Sequence, residues 1–328
     1  MELNLSNGSL QTLPTLHGLR YTTLNASYNK LRVLWADDLP LGVEDVNLQH
    51  NSINEDGLLS DWPDTLRVLN LSDNPLYSLS VITAWPRNLR SLNLSYTNIQ
   101  DIRSTILPAS LESLTVSCTA IREIQTLPAG LKELYASNTN IHTLPRSLPA
   151  GLERMEVNCT SLKNGGLPRS WGTALKELSL ADNFLEEIPG GLPPTVEIVN
   201  LTGNRIQRIC SREKFPRSLQ LLLLGRNAIL EIPPWFQEIS AKFTIQFNKL
   251  TERIHLPNCL LSHTQWNTPN HTIAVNQIQG AWRRCRLKQR VRTFARMWRT
   301  KEDLLALAMN PDRAGRFEQI ESCWRRRA

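Results

Sequence analysis

Apolar residues return along this chain at positions one, four, six and eleven of a recurring unit, with polar residues between them and Asn or Thr at position nine. The unit is plain in "LRVLNLSDNPL" from Leu66, "LRSLNLSYTNI" from Leu89, "LESLTVSCTAI" from Leu111 and "LKELYASNTNI" from Leu131. It continues in "LERMEVNCTSL" from Leu152, "LKELSLADNFL" from Leu175, "VEIVNLTGNRI" from Val196 and "LQLLLLGRNAI" from Leu219. Weaker copies start at Tyr21, Val43 and near Ser240, and a partial one holds Leu3 and Leu5. The starts lie 20 to 23 residues apart. Around positions four and six apolar and polar residues alternate, the period of a strand with one buried face. One short strand per unit, stacked in parallel on its neighbours, is predicted.

After the strand comes Asn29, Asn51, Asn74, Asn183, Asn204, Asn227 or Asn248, whose amide can turn inward and satisfy backbone groups that have no ladder partner. Thr97, Thr119, Thr139 and Thr160 take that place in four consecutive units, which are expected to be less tightly pinned. Prolines on the return, such as Pro145, Pro189 and Pro233, exclude a long helix there and predict an extended path. The tetrad Pro-Ala-Gly-Leu, ending at Leu131 and again at Leu152, reads as the corner into the next strand, with glycine expected to supply backbone freedom.

These residues resemble the leucine-rich repeat family, and the short period with Leu-Pro returns is most similar to the LPX-type repeats of bacterial effectors and large DNA viruses. The resemblance covers residues 1–256 and implies an α/β solenoid: a right-handed horseshoe of eleven or twelve coils. Parallel β-strands would line its concave face, with Pro-rich convex returns and a C-terminal α-helical tail. It also implies a scaffold that binds a protein partner. Many bacterial relatives append a cysteine-dependent ubiquitin-ligase domain; about 70 residues remain here, too few to carry it. The pattern opens mid-coil at Leu3 and Leu5, so the first coil is expected to fray.

Strand positions two, three, five, seven and eight are predicted to point outward. Position five reads Asn25, Asn47, Asn70, Asn93, Thr115, Tyr135, Glu156, Ser179, Asn200, Leu223 and Thr244, a polar and nearly neutral ladder. Ile198, Leu221, Leu223 and Phe247 make the outward surface apolar toward its end, as expected of a partner site or of a place where the chain's own tail lies. Lys132, Tyr135, Glu153, Arg154, Glu156, Lys176 and Glu177 mix both signs, the composition of a solvated face.

Charge is divided unevenly. The chain has 37 Lys+Arg and 30 Asp+Glu; residues 271–328 hold 14 and 5 of these, a net of +9, which leaves −2 for residues 1–270. Six cysteines without a C-x-x-C pair fit reduced thiols. No phosphate loop or nucleophile elbow occurs, and Cys118 and Cys159 have no recurring His beside them, so no catalytic site, metal or cofactor is expected. There is no apolar run long enough to span a membrane and no signal-type N-terminus, which predicts a cytoplasmic protein, in the host-cell cytosol if the source is a pathogen.

Residues 257–270 read as a closing linker. His255, Cys259, His263 and His271 cluster there without the spacing of a zinc finger. From Thr268–Pro269 onward, apolar residues at helical spacing among arginines predict a basic amphipathic helix, followed by two more helices. Within it, "IQGAWRRCRLKQRV" resembles the IQ motif of sequences that hold calmodulin or related light chains. Ile278, Gln279, Arg283, Lys288 and Val291 are in register, Trp282 is a second apolar anchor, and Arg284 stands where the motif has glycine. The resemblance implies a calmodulin-like partner and a calcium-linked adaptor; the arginines alone would suit nucleic acid or anionic lipid, for which base-stacking aromatics are lacking. The IQ reading predicts that a peptide spanning residues 270–299 binds calmodulin in a calorimetric titration, with or without calcium. No heat in either condition removes it.

Overall fold

The computed structural model describes residues 1–250 apart from 17, 36–37, 59–60, 79–84 and 101–106, together with Cys259. The chain divides into two units, Met1–Trp266 and Asn267–Ala328. The expected tail helices and the IQ-like motif lie outside the described residues.

Each unit of the repeat contributes a three-residue strand. In chain order these are β1 (Glu2–Asn4), β2 (Thr23–Asn25), β3 (Asp45–Asn47), β4 (Val68–Asn70), β5 (Ser91–Asn93) and β6 (Ser113–Thr115). They continue as β7 (Glu133–Tyr135), β8 (Arg154–Glu156), β9 (Glu177–Ser179), β10 (Ile198–Asn200), β11 (Leu221–Leu223) and β12 (Lys242–Thr244). All twelve form one parallel sheet in sequence order. The register sets like positions side by side, Asn47 against Asn70 and Leu69 against Leu92. Beyond β12, Cys259 makes an isolated parallel bridge to Phe243 and packs on the core.

Positions one, four, six and eleven are the core. Leu66, Leu69, Leu71 and Leu76 are wholly buried, as are their equivalents in the neighbouring coils. Burying each such side chain stabilises by about 1.5–3 kcal/mol, but only because the next coil covers it. Near the far end Phe236 and Phe243 meet edge to face with centroids 4.8 Å apart.

The position-nine asparagines staple coil to coil. Asn74 Nδ2 donates to the carbonyls of Leu71 in its own coil (3.1 Å) and Leu48 in the preceding one (2.9 Å), while its Oδ1 accepts from the Ile53 N–H (3.0 Å). Asn204 repeats this with Leu201, Leu180 and Leu185. Three of the four threonines reach only their own coil: Thr97 Oγ1 donates to Leu94 O, Thr119 Oγ1 to Val116 O and Thr139 Oγ1 to Ala136 O, whereas Thr160 Oγ1 donates to Asn183 Oδ1 of the following coil. Fewer bonds therefore tie these coils together.

To send position nine inward, the chain turns at position eight through the left-handed region. Tyr28, His50, Asp73, Tyr96, Cys118 and Asn138 have φ of +55° to +59°, and the later rungs follow. Left-handed backbone costs roughly 1–2 kcal/mol for a non-glycine residue, so the asparagine bonds and the buried column must hold it in place. Only Gly203, at +72°, meets the requirement with glycine.

Among the described residues the return side has no long helix, in keeping with its prolines, and four short 3-10 turns occur, at Glu55–Gly57, Asn164–Gly166, Arg212–Lys214 and Pro234–Glu238. At the entry corner Pro128 O accepts from Leu131 N–H and Pro149 O from Leu152 N–H; Gly130 and Gly151 lie outside the left-handed region, and Gly130 is needed instead because a Cβ there would lie 2.9 Å from Ala109 O. Gly166 meets the same need. A Cβ there would lie 2.1 Å from the carbonyl oxygen of His142 in the coil beneath.

Two substitutions test this arrangement in urea denaturation. Asn204→Ala is expected to destabilise by about 1–3 kcal/mol, because it leaves buried backbone groups without partners. Thr119→Asn, which can reach Leu94 O and Ile99 N–H across the coil boundary, is expected to stabilise by about 0.5–1.5 kcal/mol.

Candidate concave binding face

The strands present two accessible rows. At position three, Asp45, Val68, Ser91, Ser113, Glu133, Arg154, Glu177, Ile198 and Leu221 are half-exposed and Lys242 is exposed. Position eight adds His50, Asp73, Tyr96 and Arg226, with Tyr96 53% exposed.

Position five lies deeper than the outward prediction placed it. Asn25, Asn70, Ser179, Asn200, Leu223 and Thr244 are buried, whereas Asn47, Asn93, Thr115, Tyr135 and Glu156 are half-buried. The asparagine amides also have local work. Asn47 Oδ1 accepts from Gln49 N–H (3.1 Å), Asn70 Oδ1 from Ser72 N–H (3.1 Å), Asn93 Oδ1 from Ser95 N–H (3.0 Å) and Asn200 Oδ1 from Thr202 N–H (3.1 Å). A concave sheet crowds its central row, and these side chains hold the turn beyond the strand.

Along one edge the charges pair across coils. Arg67 reaches Glu44 (3.8 Å), Lys132 reaches Glu112 (2.8 Å) and Lys176 reaches Glu153 (3.0 Å). Such exposed pairs contribute about 0–1 kcal/mol each. Arg154 lies between Glu133 (2.9 Å) and Glu177 (3.3 Å). Burial works against its charge, but the flanking Glu177 and Glu133 outweigh that and raise its pKa. Glu156 accepts from Asn158 Nδ2 at 3.0 Å in the same stretch.

Position eight carries contacts that the sequence reading missed. His50 Nδ1 lies 2.6 Å from Asp73 Oδ2, and the His50 ring packs on Tyr28 with centroids 4.9 Å apart. The signal was present in the spacing, since Tyr28, His50 and Asp73 occupy one position in successive units. Burial raises the Cys118 thiol pKa against a lowering hydrogen bond from Tyr96, so this sulfur is held as a thiol rather than activated. Cys159 Sγ lies 4.0 Å from Asp182 Oδ2. Among the described residues no group of three or more His, Cys, Asp or Glu side chains is arranged to hold a metal ion. None of the described helices is long and apolar enough to cross a membrane.

The outward apolar residues separate into two kinds. Ile198 and Leu221 pair directly across β10 and β11, both half-exposed; Leu223 sinks to 6% exposure, and Phe247 is half-buried two rungs beyond Gly203.

Burial raises the pKa of Asp182, with Arg226 opposing. A carboxyl raised in the fold penalises folding above its folded pKa, and the penalty vanishes as pH falls below the unfolded value. Asp182→Asn is therefore expected to raise the melting temperature near neutral pH, with the gain disappearing below about pH 4.

Comparison with known proteins agrees with this geometry. The Leucine Rich repeat family matches residues 86–102. Bovine keratocan is 32% identical over 119 residues, 34% of this chain and 34% of keratocan, so the match spans about a third of that protein. The structure of YopM from Yersinia enterocolitica WA-314 superposes with a TM-score of 0.63 at 30% identity, covering 78% of this chain and 53% of YopM. The leucine-rich repeat domain of APL1B superposes with a TM-score of 0.61 at 19% identity, covering 80% of this chain and 82% of that one, a likeness of fold. Repeat, rung geometry and these matches together show a leucine-rich repeat fold, a parallel-strand solenoid similar to that of YopM.

Proposed function

We propose that the protein is a non-enzymatic interaction scaffold whose partner is a protein held on the concave face between β7 and β12. Leucine-rich repeat solenoids in general serve as surfaces for protein partners. The observation that carries the finer reading is the Ile198–Leu221 pair. It is a half-exposed apolar step on a face whose other position-three side chains, Val68 apart, are polar or charged. Apolar surface left in the open on a pinned, preorganised frame suits a partner's side chains, because little order is lost on contact.

Enzyme chemistry has less support. The one His–Asp contact at position eight, His50 with Asp73, has no activated nucleophile in the neighbouring rungs, and the nearest cysteine along that row, Cys118, is held as a thiol. The adaptor reading through Ile278, Gln279, Trp282, Arg283, Arg284, Lys288 and Val291 stays tied to the sequence of the tail.

A photo-crosslinking amino acid placed at residue 221 is expected to trap a partner from cell extract, while the same group at Arg208 on the return side traps none. Equal trapping at both positions, or trapping only at residue 208, contradicts the concave assignment.

A further inference from the structure

Between positions two and eight, the rungs of β6 to β10 carry seven carboxylates and three cations. The cations are already engaged: Lys132 with Glu112, Lys176 with Glu153, and Arg154 shared between Glu133 and Glu177. Seven carboxylates against three cations leave this stretch with four negative charges in surplus, although one of the seven, Asp182, also faces Arg226 of the next rung but one. Past it the character changes twice. Ile198 and Leu221 come first, and then Arg226 and Lys242 make the rungs of β11 and β12 basic. The face is therefore polarised along the solenoid axis: acidic, then apolar, then basic.

Beside the apolar step two glycines let neighbouring side chains pack close to the backbone. Gly203 and Gly225 bring no side chains to positions eight and seven, and their neighbours lean over them. A Cβ on Gly203 would lie 2.2 Å from Asp182 Oδ1, and one on Gly225 would lie 2.7 Å from Gln246 Nε2. Gln246 is 6% exposed, and its Oε1 is buried with no hydrogen-bond partner among the described residues.

We infer that this face binds a partner segment of one chemical class: a cluster of Lys or Arg next to a bulky apolar side chain. The inference rests on the concave-face assignment and narrows it. The basic cluster lies over the carboxylates of β7 to β10, and the apolar side chain seats on Ile198 and Leu221. Arg226 and Lys242 repel the basic end, so the segment has one direction along the solenoid, with its cluster toward β7. An acidic segment would meet the surplus glutamates, and a nucleic acid would meet the same repulsion.

The test selects random peptides displayed on phage against the full-length protein at low salt. One enriched peptide is then synthesised with a fluorophore and its binding followed by anisotropy. The expected result is enrichment of peptides that combine Lys/Arg clusters with Leu, Ile, Phe or Trp. The Ile198→Asp/Leu221→Asp variant should bind the synthetic peptide about tenfold or more weakly. Glu156→Gln/Glu197→Gln should bind it about threefold to tenfold more weakly at low salt, a difference that fades as salt is raised. Leu221→Ser is a milder substitute should the double aspartate variant misfold by circular dichroism. Enrichment of acidic or uncharged peptides that are still lost with Ile198→Asp/Leu221→Asp overturns the basic class and keeps the concave face. Binding indifferent to every one of these substitutions overturns the concave face itself. Absence of any enriched peptide overturns the inference.

Discussion

The constraint on which the rest depends is that no coil can bury its own core. The aliphatic residues at positions one, four, six and eleven are covered only by the next rung, and the position-nine amide is the polar contact that fixes how one rung sits on another. A single Asn183 side chain touches Val157 O in the preceding coil and Leu180 O in its own, and gives an acceptor to Leu162 N–H. With buried backbone groups satisfied this way, the chain can hold the left-handed turn at position eight that lets the next return begin. Loss of the amide leaves polar groups unpartnered and the strained turn unsupported at once. The threonine coils from Thr97 to Thr139 show the same frame held by fewer ties.

That frame explains where side chains are free to act. The concave centre is crowded, so the position-five asparagines became part of the scaffold, while positions three and eight remained accessible. Specificity along the solenoid then follows from the order in which residue types succeed one another from rung to rung. The change from paired and surplus glutamates to Ile198 and Leu221, and on to Arg226 and Lys242, is such an order. Because the backbone beneath is set by the repeat, these exposed residues can change without disturbing the fold, which is what a recognition surface requires.

Much of the fold was legible because its determinants are periodic: leucine spacing gave the strands and their parallel stacking, and prolines gave the extended return. What escaped the sequence was local. Positive φ at Tyr28, His50 or Tyr96 carries no glycine signature, because the neighbouring asparagine or threonine bonds hold the turn. The corner of Pro-Ala-Gly-Leu uses no left-handed glycine: the carbonyls of Pro128 and Pro149 accept there, and Gly130 leaves room for Ala109 O. On the candidate face, the apolar pair was visible from alternation alone. The sinking of Leu223 and the close approach of Asp182 and Gln246 to Gly203 and Gly225 depend on neighbours one coil away, which spacing does not report.

Native-state hydrogen exchange read rung by rung tests the central claim most directly. If position-nine amides tie the coils together, backbone amides in the asparagine coils around residues 180–227 exchange more slowly than their counterparts in the threonine coils around residues 94–139, with the step located where threonine gives way to asparagine. Uniform protection across both groups, or slower exchange in the threonine coils, would show that the leucine column alone holds the solenoid and that the amide ladder is incidental.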